Sequence, residues 1–220
     1  MTSLSKPQID QLGERLRKGN ISEDDLRLLD VYRESFTEAY EEVVAAIRSA
    51  TGLEPVGRSK TNISIIAKLI RERTMRLHRM QDIAGCRVVV DEILKQDSVV
   101  GELVRAFPSA KVHDRRKRPS HGYRAVHLIA TARDKLVEIQ VRTELQHLWA
   151  QQSEIMSDVS DPAIKYGGGS PENKNLLSAN SELIADLEEA EQLVAVRKAG
   201  LAEAMRKVNE YLAALPRRVN

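Results

Sequence analysis

The sequence predicts an α+β fold, in which a small mixed β-sheet packs with helices and is flanked by helices toward both ends of the chain. Short apolar runs typical of buried strands occur between residues 86 and 143. Apolar residues at helical spacing occupy the regions before and after them. We therefore expect one unit over residues 1–220, with an N-terminal helical arm at 1–56, a core at 57–157, and a loop with C-terminal helices at 158–220.

Two helices are predicted before the first strand. Residues 22–50 carry apolar side chains at helical spacing, and Ser22 and Asp25 stand as they would in a capping box. The stretch TGLEPVG at 51–57 breaks this pattern, because it contains a proline and two glycines. Helical spacing resumes over residues 61–77.

Four strands are predicted in the centre of the chain, over residues 86–90, 111–113, 125–132 and 136–143. The turn-like sequence RDK separates the last two, which are expected to form a hairpin. Helices are predicted over residues 98–107, ended by Pro108, and over residues 144–157. A loop rich in Pro and Gly at 161–173 leads to one long or two shorter helices over 176–215.

The composition is that of an ordinary soluble protein, with 42% hydrophobic and 30% charged residues and a net charge of +2. That small net charge conceals a basic centre between acidic ends. Residues 57–87 hold eight Lys and Arg against two acids, whereas residues 21–54 hold nine Asp and Glu against three Arg. A basic centre suits a polyphosphate or a nucleic-acid backbone, and it is equally compatible with solvated helix faces.

The sequence gives no sign of a membrane span or a signal peptide, so we expect a cytoplasmic protein without membrane partners. The single cysteine, Cys86, lies in the apolar run CRVVV and is expected to be a small buried hydrophobe. The five histidines are scattered and lack cysteine partners, which argues against zinc.

A cationic strip is predicted along the helix over residues 61–77, because polar and basic side chains recur there at steps of four, four and three. The strip consists of Arg58, just before the helix, and of Lys60, Ser64, Lys68 and Arg71. The remaining apolar residues, Ile63, Ile66 and Ile70 among them, are expected to turn inward. Arginine binds phosphate bidentately and lysine binds it as a point charge, although many basic helix faces are merely solvated.

A carboxylate stands at the mouth of the first predicted strand, in QDIAGCRVVV. Asp82 precedes the strand, Gly85 allows close approach of the backbone, and Arg87 follows. The Asp82 carboxylate can hold a magnesium ion, and it can also simply cap a turn.

Polar side chains also project together from two later segments. In LVEIQVRT the strict alternation places Glu138, Gln140 and Arg142 on one face, as in a binding face or in a half-buried strand whose polar face meets water. In RRKRPSHGYRAVH a basic loop leads through Gly122 to Tyr123, which can stack on a nucleic-acid base.

Together these segments resemble the synthetase domain of the RelA/SpoT family. The motifs that carry the resemblance are, in order, R-x-K-x-x-x-S-I-x-x-K from Arg58, D-I-x-G-x-R from Asp82, G-Y-R-x-x-H from Gly122, E-I-Q-x-R-T from Glu138 and W-A from Trp149. They span residues 58–150, and their shared order is far more specific than any single motif.

The resemblance implies a nucleotidyltransferase-like fold and an ATP-dependent pyrophosphokinase, which moves the β,γ-pyrophosphate of ATP to a ribose 3′-hydroxyl and releases AMP. It implies that Asp82 and Glu138 are the catalytic residues and handle Mg²⁺. It implies an ATP site formed by Arg58, Lys60, Ser64, Lys68, Arg71 and Arg87. It implies an acceptor site formed by Tyr123, which stacks on the base, and by Arg124, His127, Gln140, Arg142 and His147.

Two positions depart from the small alarmone synthetases that use guanine nucleotides. Those enzymes typically carry a Lys after the Pro of the loop and an Asn two residues before Trp-Ala, where this chain has Ser120 and His147. The loop instead contains Arg115, Arg116, Lys117 and Arg118, a run that can bind the backbone of tRNA. This run is similar to that of toxic family members that modify the 3′-terminal adenosine of tRNA. It favours tRNA as the acceptor, a translation-inhibiting toxin, and an antitoxin protein as a partner.

Two alternatives stay open. The acceptor can be GDP or GTP, in which case the chain is a (p)ppGpp synthetase. The chain can also be an inactive RNA-binding or regulatory module, but both carboxylates are present and would repel phosphate in a purely binding site. The sequence does not separate the roles of general base and metal ligand for Glu138.

Overall fold

The fold is built on a five-stranded sheet. The structure is a computed structural model that describes residues 4–214. Its strands are β1 (Val56–Ser59), β2 (Ala84–Val90), β3 (Lys111–Asp114), β4 (Val126–Ala132) and β5 (Lys135–Thr143). They lie in the order β1-β2-β5-β4-β3, with a parallel β2–β5 pair and three antiparallel pairs. The predicted α+β fold with a small mixed sheet is confirmed.

Seven helices surround this sheet in the described residues. They are α1 (Lys6–Lys18), α2 (Glu23–Glu34), α3 (Thr37–Thr51), α4 (Asn62–Arg71), α5 (Ile93–Ala106), α6 (Glu144–Val159) and α7 (Pro171–Ala214). Two short 3₁₀ helices, Leu77–Arg79 and Pro162–Tyr166, follow α4 and α6. Within residues 4–214 no helix combines the length and the apolar character that crossing a membrane requires.

The N-terminal segment differs from the prediction in two ways. The helix α1 was not predicted, and the single helix predicted over 22–50 is divided into α2 and α3. The division falls at Ser35, whose hydroxyl donates to the Tyr32 carbonyl at 2.6 Å and so offers the backbone an alternative to the helical ladder. The predicted capping box is present, because the Ser22 hydroxyl accepts from the Asp25 amide.

Of the residues predicted to turn inward on α4, Ile66 packs partly buried against an apolar cluster, but Ile63 and Ile70 do not turn inward. Ile63 is 80% exposed and Ile70 is 51% exposed, whereas Ile65 and Leu69 are fully buried. Ile65 and Leu69 belong to the apolar cluster that also holds the buried side chains of α1. Because α1 was not predicted, no packing partner was known from which the inward face of α4 could be chosen. The helix also ends at Arg71 rather than at 77.

Several other boundaries also differ. The exposed edge strand β1 was missed because its four residues show no apolar alternation. Helix α5 begins at Ile93, five residues before the predicted start. The C-terminal region is one helix beginning at Pro171, a residue favoured in a first turn. The predicted end of that helix, at 215, lies outside the described residues.

One face of the sheet carries the main apolar core. Side chains from β2, β4 and β5 pack there against α3 and α5, so α3 is part of the core rather than a detached arm. Cys86 is buried in this layer, and burial raises the pKa of its thiol to about 12. The prediction of a buried, unreactive cysteine is therefore consistent with its surroundings.

The opposite face of the sheet is polar. The parallel register aligns Gly85 with Glu138 and Arg87 with Gln140, and the β4–β5 hairpin aligns His127 with Gln140. The hairpin turn is made by Arg133 and Asp134, both with positive φ, as the RDK sequence predicted. Residues from three separate motifs therefore meet on one surface.

Candidate active site

A cleft of about 1080 Å³, including solvent at its mouth, lies over the polar face of the sheet. Its walls come from α4, from the loop between β3 and β4, and from α6 with the 3₁₀ helix that follows. The predicted site residues that line it are Arg58, Lys60, Lys68, Arg71, Asp82, Arg115, Tyr123, His127, Glu138, Gln140 and Arg142.

Asp82 is held between two lysines. Its two carboxylate oxygens accept from Lys60 Nζ and Lys68 Nζ, each at 2.9 Å. Burial acts to raise the pKa of Asp82, but the two ammonium charges and their hydrogen bonds outweigh it and hold the pKa below its ordinary value. The carboxylate is therefore ionised, and the cationic strip is anchored at the mouth of β2.

Glu138 lies deeper in the cleft, on β5. Its Oε1 is 2.8 Å from His127 Nδ1, and its Oε2 accepts from Gln140 Nε2 at 2.6 Å. Burial acts to raise the pKa of Glu138, and the charge of Asp82 acts in the same direction. The bonds from His127 and Gln140 outweigh both and hold the pKa below its ordinary value, so Glu138 is ionised as well.

The bonds to Glu138 are part of a closed ring of five side chains. His127 Nε2 is 2.8 Å from the Tyr123 hydroxyl, which accepts from Arg142 Nη2 at 2.8 Å. Arg142 Nη2 also donates to Gln140 Oε1 at 2.9 Å, and this bond closes the ring. Since the ionised Glu138 carboxylate can only accept, His127 Nδ1 carries a proton and donates to it. In the neutral imidazole Nε2 then accepts from the Tyr123 hydroxyl.

The Tyr123 side chain is surrounded by Arg142 and Trp149 as well as by His127. The guanidinium carbon of Arg142 lies 4.9 Å from the centroid of the Tyr123 ring, and the Trp149 ring lies 6.4 Å away. Burial raises the pKa of the Tyr123 hydroxyl, and the Arg142 charge only partly offsets that effect. The hydroxyl therefore stays protonated at neutral pH and can keep its bond to His127.

Four residues predicted for the ATP site or the acceptor site do not line this cleft: Ser64, Arg87, Arg124 and His147. Arg87 lies on the polar face of the sheet, since it pairs with Gln140, and its Nη1 is 3.4 Å from His147 Nδ1. Burial and the charges of Arg87 and Arg142 lower the pKa of His147, so its imidazole is neutral. Ser64 lines a recess beside the cleft that it shares with Lys60 and Asp82.

Arg124 points toward α7 and not into the cleft. Its Nε donates to the Ser181 hydroxyl at 3.0 Å, and its Nη1 donates to the Arg116 carbonyl. Ser181 in turn donates to the Gly122 carbonyl at 2.7 Å. These bonds fix the loop that presents Tyr123, so Arg124 positions the acceptor-side loop from behind.

The four basic residues of the loop are not equivalent. Arg116 forms ion pairs with Asp97 at 2.6 Å and Asp114 at 2.7 Å, and these outweigh burial and raise its pKa. Arg115 lines the cleft, and Lys117 and Arg118 are exposed. Arg116 therefore holds the loop in place, and the other three present their charge outward.

The site also contains residues that the sequence reasoning missed. Tyr166, in the 3₁₀ helix after α6, lines the cleft opposite α4, and the Arg71 guanidinium lies 3.9 Å from the centroid of its ring. His121, Lys165 and Ser153 also line the cleft. An isolated tyrosine before three glycines, in a chain with few aromatics, was the signal that could have pointed to Tyr166.

The two carboxylates suit a magnesium ion that is shared with a substrate. Mg²⁺ in phosphate-binding sites takes one or two carboxylates and completes its shell with phosphate oxygens and water. Within residues 4–214 no group of three or more His, Cys, Asp or Glu side chains could hold a metal ion. Asp82 and Glu138 are the residues that would hold the ion together with bound phosphates.

Comparisons with known proteins agree with this geometry. Residues 57–157 match the family described as a region found in RelA / SpoT proteins. Uncharacterized proteins of Mycobacterium tuberculosis (strain H37Rv) and Mycobacterium bovis are 38% identical to the chain over 121 residues. That match covers 54% of this chain and 44% of each relative, so the chain spans less than half of these curated relatives.

Solved structures share the fold. Small alarmone synthetase 1 from Bacillus subtilis, bound to its product pppGpp, has a TM-score of 0.62 at 24% identity and covers 78% of this chain and 98% of its own. The same synthetase in another crystal structure has a TM-score of 0.56 at 25% identity, over 81% and 100%. A GTP pyrophosphokinase family protein from Streptococcus pneumoniae has a TM-score of 0.59 at 21% identity, over 81% and 97%. With the five ordered motifs and the cleft they form, residues 57–157 are similar in sequence to the region found in RelA / SpoT proteins, and the chain shares the fold of the small alarmone synthetases.

Proposed function

We propose that this chain is an ATP-dependent pyrophosphokinase, which transfers the β,γ-pyrophosphate of ATP to a ribose 3′-hydroxyl and releases AMP. The observation that carries the proposal is a pair of ionised carboxylates, Asp82 and Glu138, in a cleft whose other charged groups are mostly cationic. Transfer of phosphoryl groups needs mainly positioning and charge neutralisation, and these are the groups that supply both.

The ATP side of the cleft lies along β1 and α4. Arg58, Lys60, Lys68 and Arg71 present four positive charges there, enough to bind a triphosphate along its length. Lys60 and Lys68 are already ordered by Asp82, so little side-chain entropy is lost when phosphate oxygens bind them. Bound with Asp82 and Glu138, Mg²⁺ supplies further neutralisation of phosphate charge.

The chemical step forms one bond and breaks one. The acceptor 3′-oxygen bonds to the β-phosphorus of ATP, and the bond from that phosphorus to the oxygen bridging to the α-phosphate breaks. AMP leaves with that oxygen. The hydroxyl proton passes to the ionised Glu138, whose carboxylate His127 and Gln140 hold in a fixed orientation.

We favour the 3′-terminal adenosine of tRNA as the acceptor. Arg115 lies in the cleft wall, and Lys117 and Arg118 continue its charge onto the exposed surface of the same loop. Such a path extends from the reacting centre to where an acceptor-stem backbone would lie. Modification of that adenosine would block aminoacylation, so this acceptor also implies a translation-inhibiting toxin with an antitoxin partner.

The second candidate acceptor is GDP or GTP, which would make the chain a (p)ppGpp synthetase. The fold shared with the Bacillus subtilis synthetase bound to pppGpp favours it.

The test is to incubate the protein with Mg²⁺ and ATP labelled at the γ-phosphate, and to offer GDP, GTP, ATP and bulk tRNA in separate reactions. We expect label on tRNA, falling steeply as salt rises. Neutralising Arg115, Lys117 and Arg118 together should lower the slope of log affinity against log salt by roughly 2 to 3. The matched control neutralises Lys6, Lys18 and Arg27, which are exposed on α1 and α2, and should leave the slope unchanged.

The outcomes distinguish an error in the proposed acceptor from an error in the proposed reaction. Label in a guanosine tetra- or pentaphosphate, with unlabelled tRNA, would overturn the acceptor and keep the pyrophosphokinase. Absence of label from all four acceptors would overturn the pyrophosphokinase itself.

A further inference from the structure

The side chain of Tyr166 lines the cleft, but the proposed reaction gives it no role. It ends the 3₁₀ helix Pro162–Tyr166, which lies across the cleft from the end of α4. The guanidinium carbon of Arg71, the last residue of α4, lies over the Tyr166 ring, 3.9 Å from its centroid. A stacked contact with the geometry of a cation–π interaction therefore joins two walls of the cleft.

The segment that presents Tyr166 is held in place by other residues. Ile164 is 4% exposed and packs with side chains of α6 and α7 in an apolar cluster. A Cβ added at Gly167 would lie 2.2 Å from Nδ1 of His121, so the segment also fits closely against the loop between β3 and β4. Tyr166 itself is 51% exposed. Because Ile164 anchors the segment, the Tyr166 ring contributes little to the packing of the domain and is available to the cleft.

Arg71 is held differently from the lysines of the cationic strip. The two lysines each donate to the Asp82 carboxylate at 2.9 Å, and each such bond uses a donor that a phosphate would otherwise take. Arg71 Nη2 donates to the adjacent Glu72 at 3.2 Å. Stacking on Tyr166 uses the face of the guanidinium, whereas the N–H donors lie in its plane. Stacking thus holds Arg71 in position without taking a donor away from a phosphate.

We propose that Tyr166 is a positioning residue for ATP, which holds the Arg71 guanidinium in the cleft so that it binds phosphate oxygens. This role rests on the proposed function, because it assigns those oxygens to ATP. A long side chain at the end of a helix has many rotamers, and fixing one of them costs conformational entropy when a ligand binds. Because stacking on Tyr166 has already fixed the rotamer of Arg71, less entropy is lost on binding and the affinity for ATP is higher.

This role predicts an effect on one substrate only. Tyr166→Ala should raise the KM for ATP and leave the KM for the acceptor and the kcat at saturating ATP unchanged, since only binding of ATP is weakened. A residue that merely stabilised the fold would act differently. Its loss would lower the active fraction, and with it kcat, without changing the KM for ATP.

The first test measures binding of an ATP analogue with a methylene group between its α- and β-phosphates, by calorimetry with Mg²⁺. This analogue cannot donate pyrophosphate, so binding is measured without reaction. Tyr166→Ala should raise the dissociation constant roughly 10-fold, within the range of a cation–π contact. Tyr166→Phe retains the aromatic ring and should stay within about 2-fold of wild type. The matched control is Tyr211→Ala, at a tyrosine of α7 that is 67% exposed, and it should leave the constant unchanged.

The second test asks whether Tyr166 acts through Arg71. Arg71→Met keeps a long side chain but removes the guanidinium that stacks on the ring. In this background Tyr166→Ala should change the dissociation constant by less than about 2-fold, because the two residues contribute one interaction. Circular dichroism and urea unfolding of each variant establish that it is folded.

Three results would overturn the role of Tyr166 alone. They are an unchanged affinity in Tyr166→Ala, a loss in Tyr166→Phe as large as that in Tyr166→Ala, and an effect of about 10-fold in the Arg71→Met background. Wild type that does not bind the analogue would overturn the proposed function and this role together. Wild type that binds the analogue but transfers no pyrophosphate would overturn the proposed reaction, while the binding measurements still decide the role of Tyr166.

Discussion

At the scale of single residues, the lowered pKa and the fixed orientation of the Glu138 carboxylate come from the ring of hydrogen-bonded neighbours around it. The ring links Tyr123, through His127, to the Glu138 carboxylate. A change at Tyr123 is thus transmitted to Glu138 by two hydrogen bonds. The acceptor-binding role that we propose for Tyr123 and the catalytic role that we propose for Glu138 would therefore be coupled.

The Glu138→Gln variant should lose at least about 100-fold of pyrophosphate transfer, because the amide cannot take the hydroxyl proton or carry the negative charge. ATP affinity measured by calorimetry should change much less, since the ATP side of the cleft is left intact. The control is Glu144→Gln, an exposed carboxylate near the end of the same strand. Transfer by Glu138→Gln at a rate near that of this control would remove Glu138 from the catalytic site.

The low pKa of Asp82 leads to a prediction about how the free energy of unfolding depends on pH. Burial acts to raise its pKa, but Lys60 and Lys68 hold the folded-state pKa below the ordinary value of 3.8. The ionised carboxylate therefore stabilises the fold above about pH 4, and this contribution disappears as the pH falls through the lower folded-state pKa. We expect the free energy of unfolding of wild type to fall more steeply than that of Asp82→Asn between about pH 4 and about pH 2.

Urea unfolding at several pH values checks this prediction, with the exposed Asp186→Asn on α7 as control. If wild type and Asp82→Asn lose stability in parallel on acidification, the lysines do not hold Asp82 in solution as they do in the structure.

Some residue roles could not be predicted from the sequence, because their partners come from distant segments. Arg116 looks like its basic neighbours until Asp97, on α5, is seen to bind it. Arg124 stands within a binding motif, but it bonds to Ser181 on α7. By contrast, the alternation of LVEIQVRT was enough to place Glu138, Gln140 and Arg142 on one face.

At the scale of secondary-structure elements, the active face depends on how closely β2 approaches β5. A Cβ added at Gly85 would lie 2.8 Å from the Glu138 carbonyl oxygen and 3.4 Å from Glu138 Cβ. Backbone atoms cannot move aside as a flexible side chain can. The close backbone approach predicted at Gly85 is therefore to β5, the strand that carries Glu138.

Gly85→Ala should destabilise the fold by about 1–3 kcal/mol through overpacking, and it should lower transfer by displacing Glu138. The matched control is Gly101→Ala in α5, where the nearest atom to the new Cβ is the Arg105 guanidinium at 3.7 Å. That change should stabilise the helix by about 0.5–1 kcal/mol. Chemical unfolding measures the free energy of unfolding of both variants. Equal changes in that free energy for Gly85→Ala and Gly101→Ala would contradict the close β2–β5 contact.

Elements were predicted well where local chemistry decides them. The RDK turn set the β4–β5 hairpin, and a Ser22 cap set the start of α2. Elements that depend on a tertiary partner were missed or shifted. β1 is an exposed edge strand recognisable only by its pairing with β2, and the phase of α4 is set by packing with α1.

At the scale of the whole molecule, the chain combines a cleft lined by motifs similar to those of the RelA/SpoT family with a C-terminal helix that anchors it. The N-terminal half of α7 braces the cleft, since the Leu177 carbonyl accepts from Trp149 Nε1 at 2.8 Å and Ser181 holds the loop before Tyr123. The side chains of the remainder of α7, from residue 189 to 214, are exposed except for the half-buried Ala195. The sequence predicted the helix but not its two different halves, because burial by the domain ends at Glu188.

The central claim is that the acceptor hydroxyl attacks the β-phosphorus of ATP, and two parallel reactions with ATP labelled at the α- or the β-phosphate test it most directly. The account predicts that β-label moves to the acceptor while α-label is recovered as AMP, with one AMP formed for each acceptor modified. Transfer of α-label to the acceptor with release of pyrophosphate would mean attack at the α-phosphorus. Release of ADP would mean transfer of a single phosphoryl group, and either result would contradict a pyrophosphokinase.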